Sequence, residues 1–342
     1  MGLYFANAVD DLVGDALAGF AFAHADTVTW DERDGYLRTK RTSPSRRVGL
    51  VSGGGSGHEP LHIGYVGAGM LDAACPGRVF ASPHNRQILA ASRAVAGPEG
   101  VLHLVKNYTG DRINFGIAAE RLAHEDIACA RVLIDDDVAT DSEDAATGRR
   151  GTGAAVLVEK VLGAAADTGM GLADLAEYGT ELAARCRSIA VASAAHTSPA
   201  TGRPAFELPS GVLEYGVGIH GERARRTLPE RPLRALAEEM VGALADALDV
   251  GSRSRLVVLV NGLGGTTRME LYAALREVVG LLDKRGAATV RTLVGDFVTA
   301  LDMRGFSLTL MDADDTLLRY YDAPAAAPGW CAADPVPAGE PR

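Results

Sequence analysis

The chain has 342 residues, a length of roughly two domains at about 150 residues each. Its 34 Lys and Arg against 44 Asp and Glu give a net charge of -10, and only 6% of residues are aromatic, which argues against a general polyanion binder or a stacking platform for single-stranded nucleic acid. The four cysteines, Cys75, Cys129, Cys186 and Cys331, form no C-x-x-C pair, so a disulfide framework or cysteine zinc knuckle is not expected.

The N-terminus lacks a basic region and carries Asp10, Asp11 and Asp15, so it does not read as a secretory signal. Ala6 stands where a myristoylation site needs Ser or Thr. No apolar run reaches about 18 residues, and a cytoplasmic location is the expectation. Apolar, β-branched runs predict strands at 48–52, 101–105, 132–134, 189–193, 256–260, 290–294 and 307–311. Helical patterns fall between them at 88–96, 115–124, 154–168, 172–187, 233–248 and 269–285. That alternation is the rhythm of βαβ units. Residues 212–219 are strand-like but hold Gly216 and Gly218, which mark a bulge or a close approach. Pro199, Pro204 and Pro209 make 185–210 the expected domain boundary, and a proline-rich tail beyond Trp330 reads as extended or disordered.

The strongest local signal is the run from Val51 to Pro60, VSGGGSGHEP, directly after a predicted strand. A glycine turn there exposes N–H groups to a ligand, with Gly57–Glu59 opening a helix and Pro60 at its first position. The chain has no G-x-x-x-x-G-K-[ST] and no G-x-G-x-x-G, so neither a P-loop nor a dinucleotide fingerprint is present. His58 and His62 formally match H-E-x-x-H, but Pro60 would break the helix that a zinc site needs, and His62 reads as a first-turn helix residue. Lys106 and Asp111 flank a turn at a strand's carboxyl end, where α/β sheets bind ligands; an ordinary surface ion pair is the alternative. His220 lies between Gly218 and Gly221, open to act as base or nucleophile, with Glu222 placed to hold one ring nitrogen if the strand continues. The acidic run Asp135, Asp136, Asp137 and Asp141 reads as a solvated loop, with a magnesium site as the alternative. The turn from Asn261 to Thr267 either binds an anion or packs closely.

Seven segments in order, GLVSGGGSGHEPLH, ACPGRVFASP, VKNYTGDRINF, IDDDVA with GRRGT, EYGVGIHGE, VNGLGGTT and LDMRGFSLTLM, resemble the K subunit of the dihydroxyacetone kinase family from about Val48 to Trp330. The resemblance implies two α/β domains, each a mixed sheet flanked by helices: 1–190 with the Gly-rich ketose loop, 191–330 with a covalent histidine, and a flexible tail at 331–342. It implies a homodimer that holds a short ketose, dihydroxyacetone or a related tetrulose, as a hemiaminal on His220. It implies His58 and Asp111 in proton transfer at the phosphorylated hydroxyl, and Gly55, Ser56, Gly57 and Lys106 around the ketose oxygens. No cofactor is expected on this chain. ATP or ADP with Mg is expected on a separate nucleotide-binding subunit, and nucleic acid and membrane are not expected partners. The sequence departs from the family at His84, Asn85 and Arg86 and at His196, which are candidate specificity residues for a longer or phosphorylated ketose; facing solvent or a dimer partner is the alternative. A non-catalytic ketose sensor is the competing function. Retention of His58 and Asp111 beside His220 favours the kinase subunit.

Overall fold

A computed structural model describes residues 4–140, 148–223 and 226–330. The first sheet contains β1 (Val28–Asp31), β2 (Tyr36–Thr39), β3 (Gly49–Ser56), β4 (Ala73–Val79), β5 (Val101–Lys106) and β6 (Cys129–Ile134), in the order β1-β2-β4-β3-β5-β6. Its β4-β3-β5-β6 part is parallel, and β2 and β1 add an antiparallel edge. The second sheet contains β7 (Cys186–Ala194), β8 (Val212–Tyr215), β9 (Arg226–Pro229), β10 (Arg255–Gly262), β11 (Ala288–Gly295) and β12 (Arg304–Asp312), in the order β11-β10-β12-β7-β8-β9. Only β10 and β11 run parallel there. The helices are α1 (Leu12–Ala23), α2 (Asn85–Val95), α3 (Thr109–Ala123), α4 (Ala154–Asp167), α5 (Leu172–Ala184), α6 (Leu233–Ala247), α7 (Arg268–Lys284) and α8 (Asp315–Tyr321). Two mixed sheets flanked by helices are thus the observed class, as expected.

Helix α4 joins the two halves. Every residue from Ala154 to Ala166 is buried, the pattern of a helix enclosed on all sides. One apolar core runs from Leu50 and Leu102 of the first sheet through Val158 and Leu162 of α4 to Val257, Leu259 and Met311 of the second. The expected boundary at 190/191 falls inside β7, which belongs wholly to the second sheet from Cys186 onward. The tail expected to be flexible at 331–342 lies outside the described residues, as do Cys331 and Asp141.

The Gly-rich run is strand, where a turn was expected. β3 extends through Gly53, Gly54 and Gly55 to Ser56 because the chain needs close approaches there: a Cβ at Gly53 would press on the Cys75 carbonyl, and one at Gly55 on the Phe80 and Ala81 backbone. No α-helix opens at Pro60 either. The chain turns instead into a short 3₁₀ segment, Ile63–Tyr65, preceded by His62. β4 escaped sequence reading because Pro76 and Gly77 look like breakers, yet both lie in a strand.

Candidate functional site

The site forms where chain ends from both sheets converge. β3 leads to Gly57 and His58, β5 ends on Lys106 and passes into α3, and β8 leads into the loop 216–222. A second-sheet segment, 299–301, closes over the first: Leu301 N donates to the Gly57 carbonyl at 2.8 Å and Thr299 N to the His58 carbonyl at 3.2 Å. Asn261 anchors this segment. Its Oδ1 accepts from Phe297 N and Val298 N at 2.8 and 2.9 Å, and its Nδ2 donates to the Val298 carbonyl at 2.8 Å. A Cβ at Gly264 would overlap the Leu301 carbonyl. Close packing therefore accounts for the 261–267 turn.

His58 is wholly buried, with Nδ1 2.7 Å from the Thr299 carbonyl. A carbonyl only accepts, so Nδ1 carries the proton and Nε2 keeps its lone pair. Nε2 has no hydrogen-bond partner. Burial first, then the neighbouring His220 and Lys106, hold its pKa well below the usual histidine range. His58 is therefore neutral at physiological pH.

His220 sits in a tight loop rather than a continued strand. Gly218 N donates to the Glu222 carbonyl at 2.9 Å, and Gly221 N to the Gly218 carbonyl at 3.0 Å. The turn brings the Glu222 carboxylate back to His220, 2.8 Å from Nδ1 and 3.0 Å from its backbone N. The expected contact thus forms by a different geometry. Burial opposes the charge of Glu222, but the His220 hydrogen bond and Arg150 outweigh it and hold its pKa at about 2. Arg150 lies 4.0 Å away and donates to Asp137 and to the Gly216 carbonyl, both at 2.8 Å. A Cβ at Gly218 would overlap the Glu222 carboxylate and the Arg150 guanidinium.

Aromatic rings fix the two histidines against each other. The His58 and His220 centroids are 4.8 Å apart, Tyr108 meets His220 edge-on at 4.6 Å, and Phe80 stacks on His58 at 4.9 Å. Asp111 lies in the first turn of α3, not across an open turn, and is buried. Lys106 is also buried rather than paired at the surface; its Nζ lies 3.2 Å from the Gly53 carbonyl and 2.6 Å from His62 Nε2. A Cβ at Gly54 would overlap that ammonium. His58 Nε2, Asp111 Oδ1, Tyr108 Oη and His196 Nδ1 are all buried without a partner. Such buried orphans call for an explanation.

Of the seven residues read as catalytic or ketose-binding, the structure brings His58, Gly57, Lys106 and Asp111 together with His220. Gly55 and Ser56 lie at the end of β3, where Ser56 Oγ donates to the Gly77 carbonyl at 2.7 Å. His196 is buried, not solvent-facing, and packs edge-on against Phe80 at 4.7 Å. His84, Asn85 and Arg86 start α2 instead. His84 Nδ1 accepts from Arg86 N at 3.2 Å as a helix cap, and Asn85 Nδ2 donates to Asn114 Oδ1 at 3.4 Å. The acidic run is not a solvated loop. Asp136 and Asp137 are buried; Asp136 accepts from Thr152 N at 2.7 Å and from Ala154 N at 3.0 Å, capping α4, while Asp137 holds Arg150. Among the described residues, no group of three or more His, Cys, Asp or Glu could hold a metal.

Sequence reasoning missed Thr299, Phe80, Tyr108, Arg150, Glu159 and the placement of His62. His62 is not a helix residue on a free face: its Nδ1 lies 2.5 Å from Glu159 Oε1 on α4 and 3.0 Å from Ser52 Oγ. Glu159 carries a legible signal, a carboxylate in an otherwise apolar helix face. The other contacts cross between sheets and leave no local pattern.

The Dak1 domain family profile matches residues 18–329. The dihydroxyacetone-binding subunit DhaK of the PEP-dependent dihydroxyacetone kinase of Escherichia coli is 39% identical over 94% of this chain and 97% of its own length. The dihydroxyacetone kinase from C. freundii, solved with AMP-PNP and Mg²⁺, superposes with a TM-score of 0.91 at 33% identity, over 100% of this chain and 63% of that one. A dihydroxyacetone kinase operon co-activator, Dha-DhaQ, matches with a TM-score of 0.88 at 32% identity, over 92% of this chain and 97% of that one. The chain belongs to the Dak1 domain family. The resemblance carried by the seven segments is borne out.

Proposed function

We propose that this chain is the ketose-binding subunit of a dihydroxyacetone-type kinase, holding a short ketose on His220 while its terminal hydroxyl is phosphorylated. The observation that carries the reading is the pair of imidazoles 4.8 Å apart, each held at Nδ1 by an acceptor, so that both Nε2 atoms keep a lone pair. His220 Nε2 forms a bond to the ketose C2. The carbonyl π pair moves to oxygen as positive charge develops on the ring beside the Glu222 carboxylate; the Nδ1 proton then passes by way of Glu222 to that oxygen, so the ring ends neutral. A tether of this kind supplies orientation that a ketose with few handles cannot otherwise gain; fixed reactants reach effective molarities of about 10⁵–10⁸ M. It also selects carbonyl compounds over glycerol.

His58 then accepts the proton of the terminal hydroxyl as its oxygen attacks the transferred phosphorus and the bond to the leaving nucleotide breaks. Asp111 and Lys106 position the hydroxyls, and the Gly55–Gly57 backbone lines the same end of the site. The phosphoryl group comes from a separate nucleotide-binding subunit that carries Mg with either exchangeable ATP or a tightly held ADP rephosphorylated by a phosphotransferase relay. Relatives named as dihydroxyacetone-binding subunits, and a kinase solved with AMP-PNP and Mg²⁺ whose length this chain covers to 63%, support that assignment. We place the chain in the cytoplasm as a homodimer; among the described residues no helix is long and apolar enough to cross a membrane. His196 tunes the ketose, whereas His84, Asn85 and Arg86 contribute only through the start of α2.

The test is a crystal soaked with dihydroxyacetone. Continuous density from His220 Nε2 to C2 is expected; its absence at full occupancy overturns the reading. The likeness to the operon co-activator favours a second reading, a ketose sensor that performs no transfer. The buried, unpartnered His58 Nε2 and Asp111 Oδ1 count against it, because a tether needs neither. Phosphorylation of dihydroxyacetone on addition of a cognate nucleotide subunit separates the two.

A further inference from the structure

Below the ketose site lies a buried row of ionisable groups of which the proposed chemistry uses only Lys106. Lys106 Nζ is 2.6 Å from His62 Nε2, and His62 Nδ1 is 2.5 Å from Glu159 Oε1. Lys106, His62 and Glu159 are all buried. Ser52 Oγ lies 3.0 Å from Nδ1 and 2.8 Å from the Leu104 carbonyl; while its hydroxyl donates to that carbonyl it is a second acceptor for Nδ1. The other titratable groups facing the row are Asp111 on α3, toward Lys106, His58, toward His62, and Tyr65, toward Glu159. Tyr65 is fixed as a donor to the Phe297 carbonyl at 2.8 Å.

These distances admit two arrangements with the same number of protons. In one, Lys106 is an ammonium donating to Nε2, the ring proton sits on Nδ1, and Glu159 is a carboxylate. In the other, one proton has passed from Nζ to Nε2 and one from Nδ1 to Oε1, leaving an amine, the second imidazole tautomer and a carboxylic acid. No proton enters or leaves, and the ring stays neutral in both. We propose that His62 and Glu159 are positioning residues that form a proton-sharing relay with Lys106, setting whether Lys106 meets a ketose oxygen as a charged ammonium donor or as a neutral amine donor. The inference rests on the reading that Lys106 contacts the ketose. Burial brings the two arrangements together, pushing Glu159 up to about 8 and Lys106 down. An ammonium has three donors. The Gly53 carbonyl and Nε2 take two of them, which leaves one for the substrate.

The test joins Glu159→Gln with ¹⁵N-histidine NMR of the ligand-free protein. In the unaltered protein both His62 nitrogens should resonate between the protonated and unprotonated extremes; a single fixed tautomer overturns the relay. Glu159→Gln removes the carboxylate charge that supports the Lys106 ammonium and the Nδ1 proton, which favours the amine. Dihydroxyacetone affinity should then fall about 10-fold at neutral pH, the scale of one charged hydrogen bond. It should recover on acidification, and Glu159→Asp should restore part of it. An affinity loss equal at every pH marks a merely structural role and also overturns the proposal. If the unaltered protein forms no adduct on His220, the reading of the site fails while the His62 resonances still decide the relay.

Discussion

His58 and His220 present the same tautomer from opposite surroundings. His58 hangs from a backbone carbonyl in a wholly buried corner where nothing compensates a positive charge. His220 sits on a half-buried loop against a carboxylate that stays ionised down to about pH 2. A carbonyl orients a ring; a carboxylate orients it and also stabilises charge that develops on it. The difference suits His58 to remain neutral until a proton reaches it, and His220 to become electron-poor as it bonds to carbon. The supports differ too. His58 is held across sheets by the 299–301 segment, whereas His220 is held within its own loop by the Gly218–Glu222 turn.

Substitutions at the two rings should separate these roles. His220→Ala should be the largest, removing the adduct and lowering turnover about 10³-fold or more, read by soaked crystals and by coupled assay with a nucleotide subunit. Equal turnover without the tether would merge the roles. His58→Asn should retain the adduct while kcat falls about 10²–10⁴-fold, the span of general base catalysis. Loss of the adduct in that variant would make His58 part of the binding step.

Glu222→Gln sharpens the contrast, since it keeps shape and removes charge. A hydrogen bond to a charged group contributes about 1.5–3 kcal/mol, so adduct affinity should fall roughly 10–100-fold. The acid limb of stability should change as well. The folded carboxyl is held at about 2, below its ordinary 4.5, so its contribution is present above 4.5 and is lost as pH falls toward 2. Glu222→Gln should therefore lose less stability across that window in acid-unfolding curves. An unchanged slope would mean that the ion pair does not persist in solution.

Much of this contrast was legible in the chain. The Gly-Ile-His-Gly run and a glutamate two residues beyond His220 pointed to an oriented His220, and the two-residue spacing survived even though a turn replaced the strand. The Gly-rich run was located correctly but misread as a turn, because its glycines answer to the neighbouring strand's backbone, Cys75 and Phe80, rather than to local turn geometry. His62 was set aside because Pro60 forbids a helical zinc pair. That argument holds, yet it says nothing about a partner nearly a hundred residues away on α4. Thr299 is more remote still, 241 residues from His58, and its contact, made by a backbone carbonyl, offers no motif. The strands of both sheets were read from apolar runs, except β1, β2 and β9, which are only four residues long, and β4, which carries Pro76 and Gly77.

The smallest effect should come from His196, which touches the pair only through Phe80. The Phe80 ring stacks on His58 and meets His196 and His220 edge-on, so it is the shared wall of both histidines. Edge-on ring pairs contribute about 0.5–1.5 kcal/mol, which converts to roughly 2–10-fold. His196→Ala should weaken dihydroxyacetone binding by no more than that, because it loosens Phe80 without touching either Nδ1 acceptor. Its Nδ1 is buried without a partner, a state that a longer ketose with one more hydroxyl would relieve. The variant should therefore lose more affinity for a tetrulose than for dihydroxyacetone in a competition series. Equal losses for both would reduce His196 to packing and leave ketose length to be set elsewhere along the wall.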